Sequence, residues 1–155
     1  LIVSRGLGDV YKRQGLKVIH VRHSSTNPDS MLHKSKYGFE FNDHVRPISD
    51  ELILTKNVNS AFIGTGLTEI LKKFKIKTIV IVGMTTNHCI STTVRMSGNL
   101  GYETYLISDS TACFNTIGQD GEEIDCEIIY KISIANLKDE FAKIISSKKL
   151  FELLI

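Results

Sequence analysis

The chain has 155 residues, 42% of them hydrophobic and 23% charged, with 2 prolines, the composition of one globular domain with no room for a second. Lys plus Arg number 19 against 17 Asp plus Glu, a formal net charge of +2; the basic residues are scattered, which argues against nucleic acid as a partner. No apolar run reaches the roughly 18 to 20 residues that cross a bilayer, and no secretory leader pattern is visible, so no membrane partner is expected and the cytoplasm is the expected location.

In chain order, residues 1–14 (LIVSRGLGDVYKRQ) hold a short apolar start, two glycines and a basic end. They do not join the rhythm that follows and read as a terminal arm or an assembly scar, leaving residues 15–155 as the domain. A strand is predicted over residues 17–23 (KVIHVRH), then a long irregular connection over 24–50, then a strand over 51–56 (ELILTK). Residues 66–75 place Leu67, Ile70, Leu71 and Phe74 on one helical face, with Thr65 as N-cap. TIVIVG at 78–83 is the most continuously apolar strand, as expected for one buried on both faces. A helix over 87–100, with Ile90, Val94 and Ser97 on one stripe, stops at Gly101. Further strands are predicted over 103–108 and 141–146, a helix over 122–136 carrying Ile124, Ile128, Ile129 and Ile132, and a last short helix over 148–154. Such alternation predicts the α/β class, a doubly wound sheet that is mainly parallel with helices on both faces.

Open parallel sheets bind ligands beyond the carboxyl ends of their strands. After TIVIVG comes Met84-Thr85-Thr86-Asn87-His88-Cys89, which puts a thiol in the first turn of a helix. Unpaired N–H groups and the helix dipole there favour a thiolate, a competent nucleophile whose surroundings also hold an oxyanion. The bland alternative is a small buried hydrophobe. Lys56 closes ELILTK, so an ammonium reaches the same rim if the two strands run parallel, where it would favour the charged sulfur; a solvated strand-end lysine is the alternative. Cys89, Cys113 and Cys126 are odd in number and irregularly spaced, which argues against a disulfide framework or a zinc site. His20 and His23 lie on opposite strand faces, and His33 and His44 lack an adjoining Asp-x-His group, so no metal is expected. Arg22, His23 and Asn27, where β structure gives way to the long loop, are candidate substrate contacts, and His88 is a candidate lining residue beside the sulfur.

The run KNVNSAF from Lys56, VGMTTNHC ending at Cys89, and the following STTVRMSGNLGYETYLISDST together resemble the isochorismatase-like cysteine hydrolases, a superfamily that includes nicotinamidases and N-carbamoyl amide hydrolases. The resemblance runs from about Leu16 to the C-terminus. It implies a three-layer doubly wound fold and an Asp-Lys-Cys triad in which Cys89 attacks the carbonyl carbon of a small amide and forms a thioester, while Lys56 holds the thiolate and orients the acid. It also implies an oxyanion hole from the N–H groups of Thr85 and Cys89, a cis Met84-Thr85 peptide, and Phe62 as an aromatic wall. No cofactor is called for, the partner is a small-molecule substrate, and a homo-oligomer is expected by analogy. One departure stands out. The family carries its acid at the end of a first strand, in an apolar-apolar-Asp-x-Gln motif, yet Asp9 is the only acid before Lys17 and its flanks do not match. The expectation is a domain whose first central strand is missing or replaced and which hydrolyses poorly; the rival is a non-catalytic small-molecule-binding or oligomerisation module of the same fold.

Overall fold

A computed structural model describes residues 16–48 and 51–154; the arm expected over residues 1–14 lies outside them. The chain divides into two compact units, one up to Ile76 and one from Lys77 onward.

In the first unit, β1 (Ile19–His23) and β2 (Leu52–Lys56) pair in parallel, in register from Ile19 opposite Leu52 to His23 opposite Lys56. The long connection between them carries two single 3-10 turns, Tyr37–Phe39 and Asp43–Val45. It is pinned to β1 by aromatic contacts: the Arg22 guanidinium lies 4.0 Å from the Phe39 ring centre, and Phe41 meets the His20 ring edge-on at 5.7 Å. His20 is only 1% exposed. Its Nε2 shares a 2.8 Å hydrogen bond with Glu51 Oε2, which also accepts from the Ile48 amide at 2.9 Å, so the end of the connection is tied to β1 as well. Helix α1 (Leu67–Lys73) is capped by Gly66 in place of the expected Thr65. The threonine hydroxyl still helps the first turn by accepting from Leu67 N at 3.2 Å. Leu67 and Leu71 are buried, whereas Phe74 is exposed with the Lys17 ammonium 3.8 Å from its ring centre.

In the second unit, β3 (Thr78–Met84), β4 (Glu103–Ala112) and β7 (Lys143–Ile145) form a parallel sheet in the order β3-β4-β7. Ile81, Leu106 and Ile107 of this sheet are fully buried, as are Val94 and Ser97 of α2 (Ser91–Asn99), the crossover from β3 to β4. The buried Ser97 hydroxyl is satisfied by Thr104 Oγ1 at 2.7 Å, as burial of a polar group requires. Helix α4 (Ser147–Leu154) closes the chain and buries Leu150.

Two predicted elements are corrected. Strand β4 continues past Ser108 to Ala112, because a register shift lets Gly83 and Met84 pair with Thr111 and Ala112. The helix predicted over 122–136 begins only at Cys126. Residues ahead of it form the antiparallel hairpin β5 (Thr116–Ile117) and β6 (Glu123–Ile124). Asp120-Gly121, with Gly121 at φ +84°, supplies the turn. Asp125 then caps α3 (Cys126–Ala135) by accepting from Glu127 N at 2.8 Å. Two of the isoleucines at helical spacing in α3 face outward, Ile128 at 52% and Ile132 at 56% exposed. Tyr130 sets that rotation by donating its hydroxyl to the Ser108 carbonyl at 2.8 Å, and Ile129 and Ile134 are the half-buried isoleucines instead. The α/β class holds, with two parallel sheets and crossover helices. No helix among the described residues is long and apolar enough to cross a membrane.

These burials give a contrast to test. Leu106→Ala, which empties a fully buried position, should destabilise the chain by about 2 to 5 kcal/mol, whereas Ile132→Ala should stay within about 0.5 to 1 kcal/mol. Urea melts of the two variants measure both; equal losses would show that α3 is packed the other way round.

Candidate active site

At the carboxyl ends of β1 and β2 the register sets His23 beside Lys56, on the same face of the two-stranded sheet. Lys56 is 5% exposed. Its ammonium donates to the Val58 carbonyl and to His23 Nδ1, each at 3.0 Å. An ammonium taken out of water is costly unless its protons find acceptors, and these two supply them. Burial, and then the Lys56 charge, hold His23 below the ordinary imidazole value of 6.5. The neutral ring this favours is the form whose Nδ1 can accept from an ammonium. The chain around the pair is tied down: Ser24 N donates to the Lys56 carbonyl at 2.7 Å, and Asn57 Nδ2 donates to the Ser24 carbonyl at 2.7 Å. Just downstream, the buried Ser60 hydroxyl accepts from Phe62 N at 3.2 Å, and Phe62 is half-buried.

The other candidates of this unit have structural engagements. Arg22 donates from Nε to Thr55 Oγ1 at 3.2 Å while its guanidinium covers Phe39. Asn27 is exposed and closes a turn, its Oδ1 accepting from Asp29 N at 3.0 Å and its own amide donating to Ser25 Oγ at 3.1 Å.

In the second unit the segment after β3 turns sharply. The Met84-Thr85 peptide is cis, and Gly83 has φ +124°, a conformation that disfavours any side chain. The thiol was expected in the first turn of an α-helix starting at Asn87. Instead Thr86–Ile90 forms a wider π-helical turn that runs into α2, and Cys89 sits within it, half-buried. The Thr85 carbonyl, in extended backbone, accepts from both His88 N and Ile90 N at 3.2 Å, which closes the turn. His88 is exposed, and its carbonyl accepts from Thr92 Oγ1 at 2.8 Å. Met84, Thr85, His88 and Cys89 thus share one turn, and Lys56 belongs to the other unit.

Three placements escaped the sequence. His23, expected as a substrate contact, also accepts from Lys56, a pairing that only the strand register reveals. Thr86 is fully buried and shares a 2.8 Å hydrogen bond with Thr111 Oγ1, which fastens the nucleophile turn to the far end of β4. Asn87 has a buried Oδ1 with no hydrogen-bond partner among the described residues, two positions before the thiol. The run of polar residues Thr85-Thr86-Asn87 between an apolar strand and a cysteine was the available signal for these last two.

Comparison with known proteins agrees with this architecture. The family model of the isochorismatase domain matches residues 4–149. The isochorismatase family protein YrdC of Bacillus subtilis is 48% identical over 142 residues, which cover 92% of this chain and 76% of YrdC. Nicotinamidase 3 of Arabidopsis thaliana is 33% identical over 101 residues, 65% of this chain and 45% of that enzyme. Among solved structures, an isochorismatase-family protein from Chromobacterium violaceum superposes with a TM-score of 0.91 at 33% identity, covering 97% of this chain and 78% of that one. With nearly its whole length matched, the chain belongs to the isochorismatase family and is a hydrolase of that kind.

Proposed function

We propose that the chain hydrolyses a small amide, or a related carbonyl compound, through a thioester on Cys89. The observation that carries this reading is the ammonium of Lys56, buried at the carboxyl end of a parallel strand, where it donates to His23 and to the Val58 carbonyl. A positive charge so placed is unusual in a merely structural strand end. The likeness to a nicotinamidase supports an amide substrate.

The chemistry follows from the groups. The Cys89 thiolate adds to the carbonyl carbon, and negative charge moves to the oxygen, where the N–H groups of Thr85 and Cys89 are the proposed donors. Collapse breaks the C–N bond and leaves an S-acyl group on Cys89. Water then adds to the thioester and restores the thiol. Lys56 favours the anionic sulfur electrostatically. Phe62 and His88 are the proposed walls of the substrate site, and Arg22, His23 and Asn27 the proposed substrate contacts. Both proton transfers call for a carboxylate.

Acid quenching after incubation with a panel of small amides, nicotinamide included, followed by intact-mass measurement, tests this directly. An acyl adduct that maps to Cys89 and is absent from Cys89→Ala is expected, with ammonia release from the variant lower by at least ~10³-fold. No adduct and no ammonia from any amide would instead favour a non-catalytic binding module of the same fold.

The Lys56 environment also makes a pH prediction. Because His23 is held below 6.5 in the fold, the unfolded chain takes up the proton first as pH falls. Its contribution to stability is therefore present above about 6.5 and is lost as pH drops toward the folded value. Melting temperatures measured from about pH 7.5 to about pH 5.5 should fall across that window. His23→Asn keeps an acceptor for Lys56 without a titrating ring and should flatten the fall; an unchanged slope would show that His23 is not the titrating group.

A further inference from the structure

A small cavity of about 150 Å³ lies where β4 ends and α3 begins, lined by Thr111, Ala112, Cys113, Cys126, Glu127 and Tyr130. Two of these six side chains are thiols. Both are half-buried, and neither is in a disulfide. The hairpin is what brings them together. Strands β5 and β6 pair Thr116 with Ile124 and Ile117 with Glu123, so the chain before β5 returns alongside the chain after β6. Asn115 ties this open end from both sides: its Nδ2 donates to Glu123 Oε1 at 2.7 Å and its Oδ1 accepts from Cys126 N at 2.9 Å. Tyr130 forms the floor with its hydroxyl anchored to Ser108. Burial above all holds its proton more tightly than usual, against the opposing effect of the Ser108 hydrogen bond and with Asp109 and Glu127 adding to the hold. Cys89 is not one of the lining residues.

A disulfide between two residues on one cavity wall requires Cβ atoms within about 3.5 to 4.5 Å, and the hairpin that returns the chain after β6 alongside the chain before β5 is what sets Cys113 and Cys126 on that wall. We propose that Cys113 and Cys126 are a reversible dithiol pair that a hydroperoxide oxidises to an intramolecular disulfide. One thiolate attacks a peroxide oxygen, breaks the O–O bond and becomes a sulfenic acid. The second thiol attacks that sulfur and displaces water. In sum, two thiols and one H₂O₂ give one disulfide and two waters; the sulfurs lose two electrons and the peroxide gains them. The bond joins the end of β4 to the first residue of α3. Thr111, on the same cavity wall, carries the 2.8 Å hydrogen bond to Thr86, so the closure sits next to the link that fastens the Cys89 turn. The pair depends only on Cys113, Cys126 and the hairpin, and it stands or falls separately from the amide chemistry.

The test uses the full reduced chain. It is treated with H₂O₂, quenched with catalase and alkylated with iodoacetamide while folded, then digested with a protease that cuts after Asp and Glu. Asp120, Glu122, Glu123 and Asp125 stand between the two cysteines, so such a digest separates them unless they are linked. The expected result is a joined pair of peptides carrying Cys113 and Cys126, two hydrogens lighter than their sum, parted by dithiothreitol and absent from Cys126→Ser and Cys113→Ser. In the untreated chain both cysteines should be recovered alkylated. Wild-type peptides recovered singly alkylated after peroxide, or linked to Cys89 or to a second chain, would overturn the pairing, and the wild-type map decides this even if a variant fails to fold.

Discussion

The candidate chemistry depends on one constraint, the parallel register that sets His23 opposite Lys56 at the carboxyl ends of β1 and β2. An ammonium closed away from water is tolerated only where acceptors meet its protons; the register provides one of them and the turn after β2 another at Val58. A slip of one residue would send one of the two side chains to the opposite face. The long connection between the strands is pinned by the His20, Arg22 and Glu51 contacts, so the register is held from the loop side as well. In the proposed function, this charge is what favours the Cys89 thiolate.

The second unit solves a different problem, that of presenting a thiol at the end of a buried strand. Strand β3 must stop, reverse and open a helix within a few residues. Gly83 in a backbone conformation other residues resist, the Thr85 carbonyl accepting two amides, and the buried Thr86–Thr111 bond together hold the turn. The extension of β4 past Ser108 has its reason here: without Thr111 the buried Thr86 hydroxyl would lose that partner, at a cost of about 1 to 3 kcal/mol.

Much of this was legible in the sequence, in a way that follows the range of the interactions involved. TIVIVG announced a strand buried on both faces through continuous apolarity, and Ile79, Ile81 and Val82 are buried. Lys56 was visible because an apolar strand closed on a charge. Its partner His23 was not, since a pairing between strands 33 positions apart depends on register, which no local pattern encodes. Isoleucine spacing pointed to a helix, which forms from Cys126; the helix is apolar on several faces, and the Tyr130 tether, a tertiary contact that no local pattern encodes, decides which one turns inward. The false start of that helix had a local cure, since Asp120-Gly121 is a hairpin turn signal that the helical spacing of the isoleucines concealed. Similarly, the chain's cysteines looked unrelated because their spacing is irregular, whereas the hairpin carries Cys113 and Cys126 to a common cavity.

The most direct measurement of the proposed partnership between Lys56 and Cys89 is the rate of iodoacetamide alkylation at each of the three cysteines near neutral pH, in the wild-type chain and in Lys56→Met. Cys89 should react faster than Cys113 and Cys126, and the substitution should slow it by about tenfold. A Cys89 no more reactive than the other two thiols, or one indifferent to the loss of the ammonium, would contradict the partnership and with it the cysteine-hydrolase chemistry.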